Sequence, residues 1–352
     1  MRDRVTVRQA TAADVDPILD LLTHYELPRE AFEPFYLGDP TYRPEHSWVA
    51  EEGARLLAHL RIYDRSIRLY DNIVPMGGVG NVVTARDARG RGVARALLER
   101  VCEHLDCCYA ISLLWTHAPS LYEAHGWIEV PQDIVVIRYA GDTERDTRDG
   151  AIDVEHGTDD DIDDALELLH NADAHRSGTE PRDRAQWFAQ RAWVHEDVAG
   201  FRIVRDDHGA VRAHVRVRLY GEGTDVLEVG AMPGDVQATR ALLAASSSGA
   251  TNLRVTLPPT LRSAIHADEI VERPASQLML RICSPSLLTD SGDATMQARI
   301  DATDALDSQR RARLLLYGCG GLGPDLDDRD DADHLQSLFP AQDAVLWQTD
   351  RF

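Results

Sequence analysis

The segment Asn81–Arg95, NVVTARDARGRGVAR, constrains this chain more than any other. An apolar strand containing Val82 and Val83 ends at Thr84. An arginine- and glycine-rich turn, Arg89-Gly90-Arg91-Gly92, then opens directly into a helix. In that helix, expected over residues 92–105, Val93, Ala94, Leu97, Leu98, Val101, Cys102 and Leu105 recur at i, i+3, i+4 spacing, a stripe that requires a core against it. Strand, glycine-rich turn and helix together form an anion site. The first N–H groups of a helix have no partner inside it, and the macrodipole is positive at that end. Gly90 and Gly92 let the backbone approach a pyrophosphate, and the arginines add charge-assisted bonds. The plainer alternative is a basic helix start on a glycine cap. The turn fits neither GxxxxGK(S/T) nor the dinucleotide GxGxxG fingerprint.

The rest of the chain bounds what such a site can serve. Its 352 residues are enough for two or three domains with buried cores. The formal charge is −22, and every basic side chain that contributes to it is arginine. A surface of that sign repels phosphate backbones and anionic lipid, so nucleic-acid and membrane-surface partners are disfavoured; a solvated acidic shell of the kind suited to a salty cytoplasm accounts for the charge. No run reaches the roughly 18 apolar residues of a membrane span. The start, MRDRVTVRQATAADVD, lacks an apolar signal region, so a cytoplasmic location is expected. Five cysteines, two of them adjacent at Cys107 and Cys108, suit neither a disulfide scaffold nor a zinc site. The histidines include no HExxH and no other metal spacing, so no metal is expected.

Three blocks are expected. Residues 1–140 mix strands and helices: a strand at Val5–Val7, a helix Ala12–Tyr25 capped by Thr11 with Asp14 as partner, strands near 47–50, 56–63, 67–69 and 78–85, the helix over 92–105, strand 109–115, helix 119–125 and strand 134–139. The polar stretch GDTERDTRDG at 141–150 reads as a linker. The same grammar restarts over 151–283, with a strand 152–155, helices 159–171 and 182–193, strands 201–204, 213–220 and 226–230, helix 235–245 and strand 251–257, which suggests an internal duplication. Residues 284–352 form a third piece with a strand-like Ala312–Tyr317 and an acidic loop. Gly318–Gly323 satisfies GxGxxG, but Pro324 and an Asp-rich loop follow instead of a helix, so it is read as a turn. In the run DLDDRDDAD at 325–333, Arg329 stands at a ligand position, so no calcium loop is expected.

Arg89-Gly90-Arg91-Gly92-Val93-Ala94 resembles the Q/R-x-x-G-x-G/A motif of the GCN5-related N-acetyltransferases (GNAT), and Leu121-Tyr122-Glu123-Ala124-His125-Gly126-Trp127 resembles that family's LYExxGF. The resemblance implies a mixed α/β fold and acetyl-CoA as co-substrate. Its pyrophosphate would lie on Gly90–Arg95 and its pantetheine arm beside Val82, Val83 and Thr84, with His117 as a further cofactor contact. Tyr122 would be the acid that protonates the departing thiolate. The full length resembles the Eis (enhanced intracellular survival) acetyltransferases, which implies tandem GNAT-like domains, the second degenerate with Pro233-Gly234-Asp235 in place of the loop, and a short sterol-carrier-protein-like (SCP2-like) C-terminal domain. It also implies a homo-oligomer and a C-terminal carboxylate, here that of Phe352, as general base. Two features depart from the Eis pattern: Arg351 stands where an acidic residue usually precedes the terminal aromatic, and Trp115 stands where many GNAT chains have Asn. The implied acceptor is a primary amine, an aminoglycoside-like polyamine or a lysine side chain, with Glu26 and Glu33 as candidate lining of an acidic cleft. The rival reading is a non-catalytic CoA-, acyl-CoA- or lipid-binding regulator that keeps the loop without turnover.

Overall fold

The computed structural model describes residues 5–25, 27–130, 132, 134–138, 152–193, 200–220, 223–232, 234–247, 252–262, 269–272, 277–289, 294–303, 306–318, 336–339, 341, 342, 344 and 345. They fold into two seven-stranded mixed sheets faced with helices.

The first half runs β1 (Thr6–Gln9), α1 (Val15–Leu22), α2 (Arg29–Gly38), β2 (Ser47–Glu52), β3 (Arg55–Leu69), β4 (Asn72–Thr84), α3 (Val93–Cys108), β5 (Ile111–Thr116), α4 (Pro119–Glu123), β6 (Ile128–Glu129) and β7 (Ile134–Arg138). The expected Thr11–Asp14 capping box forms: the backbone N–H and hydroxyl of Thr11 each donate to Asp14 Oδ2 at 2.8 Å, so a 3₁₀ turn at Ala12–Asp14 leads into α1. Strands expected at 56–63 and 67–69 are one continuous strand, because β4 pairs with it from Ala58 to Leu69. Helix α2, absent from the sequence expectation, carries Pro34 and buries Phe32 and Tyr36, one turn apart on one face. The apolar stripe of α3 is buried as expected, with Val93, Leu97, Leu98, Val101 and Leu105 packed into a core shared with α1, α2 and the first sheet.

The second half runs β8 (Glu155–His156), α5 (Ile162–Asp173), α6 (Arg184–Trp193), β9 (Phe201–Arg205), β10 (Val211–Tyr220), β11 (Gly223–Ala231), α7 (Val236–Ser246), β12 (Asn252–Val255), α8 (Pro259–Arg262), β13 (Glu269–Glu272) and β14 (Gln277–Ile282). Its first helix starts on the same device, a Thr158–Asp161 capping box. Helices α9 (Pro285–Thr289), α10 (Ala294–Ala302) and α11 (Ser308–Tyr317) follow. The strand-like reading of Ala312–Tyr317 is therefore corrected. Asp307 caps a helix by accepting the Arg310 N–H at 2.9 Å, and the apolar run is one face of that helix buried against the first sheet.

Sheet order is β1-β2-β3-β4-β5-β14-β6 in the first and β8-β9-β10-β11-β12-β7-β13 in the second. The two halves thus exchange a strand. The segment expected as the last strand of the first block, β7, lies antiparallel between β12 and β13, and β14 lies antiparallel between β5 and β6. A buried ion network also joins the halves: Arg65 on β3 binds Asp39 at 2.8 Å and Glu180 of the second half at 2.8 Å. Beside it the β3 backbone bonds residues 178 and 179, with the Arg68 N–H donating to Thr179 O at 2.9 Å.

Candidate active site

Strands β4 and β5 are parallel neighbours only over Met76–Gly78 and Ile111–Leu113. On its other edge β5 pairs with β14 along its whole length, from Ile111 opposite Ile282 to Thr116 opposite Gln277. Residues 79–84 of β4 therefore have β3 on one side and, among the described residues, no ladder partner on the other. The result is a slot with one open strand edge, whose N–H and C=O groups can receive an extended ligand.

At the foot of the slot the chain turns into α3. Arg55 holds the turn from below through a two-pronged pair with Asp87 at 2.7 Å, and Ala85 and Ala88 are buried. Gly90 and Gly92 both adopt left-handed backbone, with φ of 72° and 79°, and a methyl group added at either would meet nothing within 4 Å. Conformation rather than crowding therefore requires glycine here, and the space in front of the turn is open. Gly92 is the N-cap of α3, with no side chain satisfying the helix start and no acidic residue in the first turn. That is the electrostatics of a site for a ligand's own negative charge. The three arginines surround it in exposed, exchangeable contacts. Arg91 pairs with Glu52 at 2.7 Å, Arg95 with Glu99 at 3.0 Å, and Arg89 donates to Thr84 O at 3.3 Å.

Tyr122 sits on α4, a short helix begun by Pro119, and only 6% of it is exposed. Its ring meets Trp127 edge-on at 6.0 Å. Burial pushes its phenol up to about 12, with the Thr116 hydroxyl bond opposing, so the group is held as an acid.

Within the slot lies a bulge that sequence reasoning missed. His59 pairs with Val83 and Arg61 with Gly80, so Asn81 and Val82 together oppose a single residue of β3. Asn81 has φ of 52°, the left-handed region that asparagine tolerates best among non-glycine residues. Tyr25, just beyond α1, donates its hydroxyl to Val82 O at 2.5 Å and stacks on Phe32. The Tyr63 hydroxyl meets the same bulge at Asn81 Oδ1. The signal that could have found these residues is the repeated frame Ala58-His59-Leu60-Arg61 and Ala213-His214-Val215-Arg216.

Of the residues singled out by sequence, Val82, Val83 and Thr84 lie on the open edge of β4, Arg89–Arg95 form the turn and helix start that follow it, and Tyr122 shares a buried core with Val83 and Val93. His117 is exposed on the loop leading to α4. Glu33 lies on α2 at 3.9 Å from Arg29, which also holds Asp16 and Asp20. Glu26, Pro233, Cys319 and Phe352 lie outside the described residues, as does the Asp-rich run at 325–333. Among the described residues no group of three His, Cys, Asp or Glu side chains could hold a metal ion.

Residues 6–130 match the family model described as acetyltransferase (GNAT) domain. Solved structures share the fold over most of the chain. A GCN5-related N-acetyltransferase from Kribbella flavida is 21% identical with a TM-score of 0.59, over 80% of this chain and 71% of that one. One from Anabaena variabilis is 16% identical with a TM-score of 0.64, over 80% and 73%. The Eis1 protein of Mycobacterium abscessus is 15% identical with a TM-score of 0.57, over 80% and 74%. No curated protein matches the sequence. At these identities the likeness to the solved structures is one of fold.

Proposed function

We propose that the chain is an acetyl-CoA-dependent N-acetyltransferase that acetylates a primary amine by direct transfer. The observation that carries this reading is the mouth of α3: an uncapped helix start without acidic residues, opened by two left-handed glycines at the foot of a single-sided strand. When bound, acetyl-CoA supplies the acetyl thioester. Gly90–Arg95 hold its pyrophosphate, and the open edge of Val82–Thr84 pairs with its amide-bearing arm. His117 stands as a further cofactor contact.

A backbone N–H of the Val82–Thr84 segment stabilises the negative charge that develops on the thioester oxygen. The amine lone pair forms the new C–N bond as the C–S bond breaks. Tyr122 gives its phenolic proton to the departing sulfur, and the proton lost by the ammonium passes to a carboxylate, that of Phe352 in this reading, or to water. Neither step requires a metal. In this reading Glu26 and Glu33 are the candidate acidic residues for the acceptor, favouring a cationic one such as an aminoglycoside or a lysine side chain. The Eis-like reading extends to residues 284–352 as a short sterol-carrier-like domain and to a homo-oligomer.

Calorimetry with CoA, together with thiol release from acetyl-CoA over a panel of amines, tests the proposal. CoA uptake with amine-dependent thiol release supports it. CoA uptake without turnover supports the regulator instead, and no CoA uptake overturns both.

A further inference from the structure

The Asn81 bulge is held from both of its polar ends by buried, uncharged side chains. His59 Nδ1 lies 3.0 Å from Asn81 O, and because a carbonyl only accepts, the proton is on Nδ1. The other ring nitrogen must then accept, and Tyr36 supplies its hydroxyl at 3.1 Å while taking the Ser47 hydroxyl at 2.5 Å. Tyr63 donates to Asn81 Oδ1 at 2.5 Å, and its ring is fixed beneath the Arg61 guanidinium at 4.1 Å. Burial pushes the His59 imidazole down to about 3, with Arg61 acting the same way and the Asn81 carbonyl opposing. The imidazole is therefore a neutral strut at working pH.

The second half provides a natural control. It keeps the His-x-Arg frame, yet Arg218 stands where Tyr63 would, paired with Asp225 at 3.1 Å, and His214 faces Glu228 at 3.3 Å. Its non-glycine residues among those described show no left-handed backbone. The clamp is present only in the half whose helix mouth carries no acidic cap, so the fold itself does not require it.

We propose that His59 and Tyr63, by clamping Asn81, are positioning residues that aim the N–H groups of the bulge at the thioester oxygen. This rests on the acetyltransferase reading and deepens it. Neither side chain touches the substrates; each acts through the backbone direction of Asn81–Val83.

The test is a double-variant cycle with Tyr63→Phe and Asn81→Gly, which remove the two ends of one hydrogen bond while leaving the ring over Arg61 and the left-handed backbone allowed. Each single variant should lower kcat by about tenfold, short of the larger loss seen when an oxyanion donor is deleted outright. The Kd for CoA should stay within about twofold, because the glycine turn is untouched. The double variant should be no worse than either single one. His59→Asn, which keeps a donor near the Nδ1 position, should retain more activity than His59→Leu, with the pH profile unchanged over about pH 6 to 9. Undiminished kcat in an active parent background, multiplicative losses, or a fall in CoA affinity parallel to kcat overturns the clamp alone. Parent protein that neither takes up CoA nor turns over overturns the acetyltransferase reading, and the clamp with it.

Discussion

Helices α3 and α7 occupy the same place in the two halves, each entered from the fourth strand of its sheet, yet their mouths are opposites. At α3 the N-cap is a left-handed glycine with nothing in front of it. At α7 the N-cap is Asp235, whose carboxylate accepts the Ala238 N–H at 3.0 Å and pairs with Arg212 at 2.6 Å. The second half therefore fills the corresponding helix mouth with its own side chain. A carboxylate there satisfies the helix start, reverses the local charge and excludes a phosphate.

The strands before the two helices differ in the same sense. In the first half Arg61 stands opposite Gly80 and takes its carboxylate from Asp39, beyond α2, at 2.6 Å, so β4 stays uncharged. In the second, Arg216 stands opposite Glu228 on the strand itself. Burial works to raise the Glu228 carboxyl, but Arg182 at 2.7 Å, with Arg216 and His214, holds it well below the carboxylate range. A glycine at 230 makes room for the His214 ring. One half keeps an open slot and the other a closed ionic core on the same architecture.

The exchanged strands predict the largest effect. A chain ending at residue 140 leaves β5 and β6 without β14, and should show no cooperative unfolding by circular dichroism; a well-folded fragment would mean that the halves are independent. Tyr122→Phe comes next, with kcat falling by about 10²-fold or more and CoA affinity unchanged, measured by thiol release and calorimetry. Gly92→Asp places the second half's carboxylate at the first half's mouth and should weaken CoA binding by at least about tenfold. An unaltered Kd would separate the mouth from the cofactor. The reciprocal Asp235→Ala should leave CoA binding alone and cost about 1 kcal/mol of stability by denaturant unfolding, as the loss of a helix cap does. The smallest effect concerns pH. Because the Tyr122 phenol is raised to about 12, it remains protonated through neutral and moderately alkaline solution, and its proton is lost only as pH approaches that value. An alkaline limb in kcat well below that value which vanishes in Tyr122→Phe would keep Tyr122 as the acid but refute its raised phenol.

Local chemistry was legible wherever a side chain acts on its own neighbours. The Thr11–Asp14 cap, the α3 stripe and the glycine turn all follow from spacing along one element. Ala312–Tyr317 was misread because a short apolar run fits a strand or one face of a helix equally, and the decision lay upstream at Asp307. Tyr25, His59 and Tyr63 escaped notice because their partners, Val82 and Asn81, are 57, 22 and 18 residues away in sequence.

The sequence by itself determined the glycine turn and the helix start that follows it, since these are properties of a few consecutive residues. Only the tertiary structure decided which strand completes each sheet and how the bulge beside the slot is held. β7 (IVVIR) and β14 (QLMLRI) are continuous apolar runs without alternation, so neither pattern selects a sheet, and pairing is settled by neighbours from the other half.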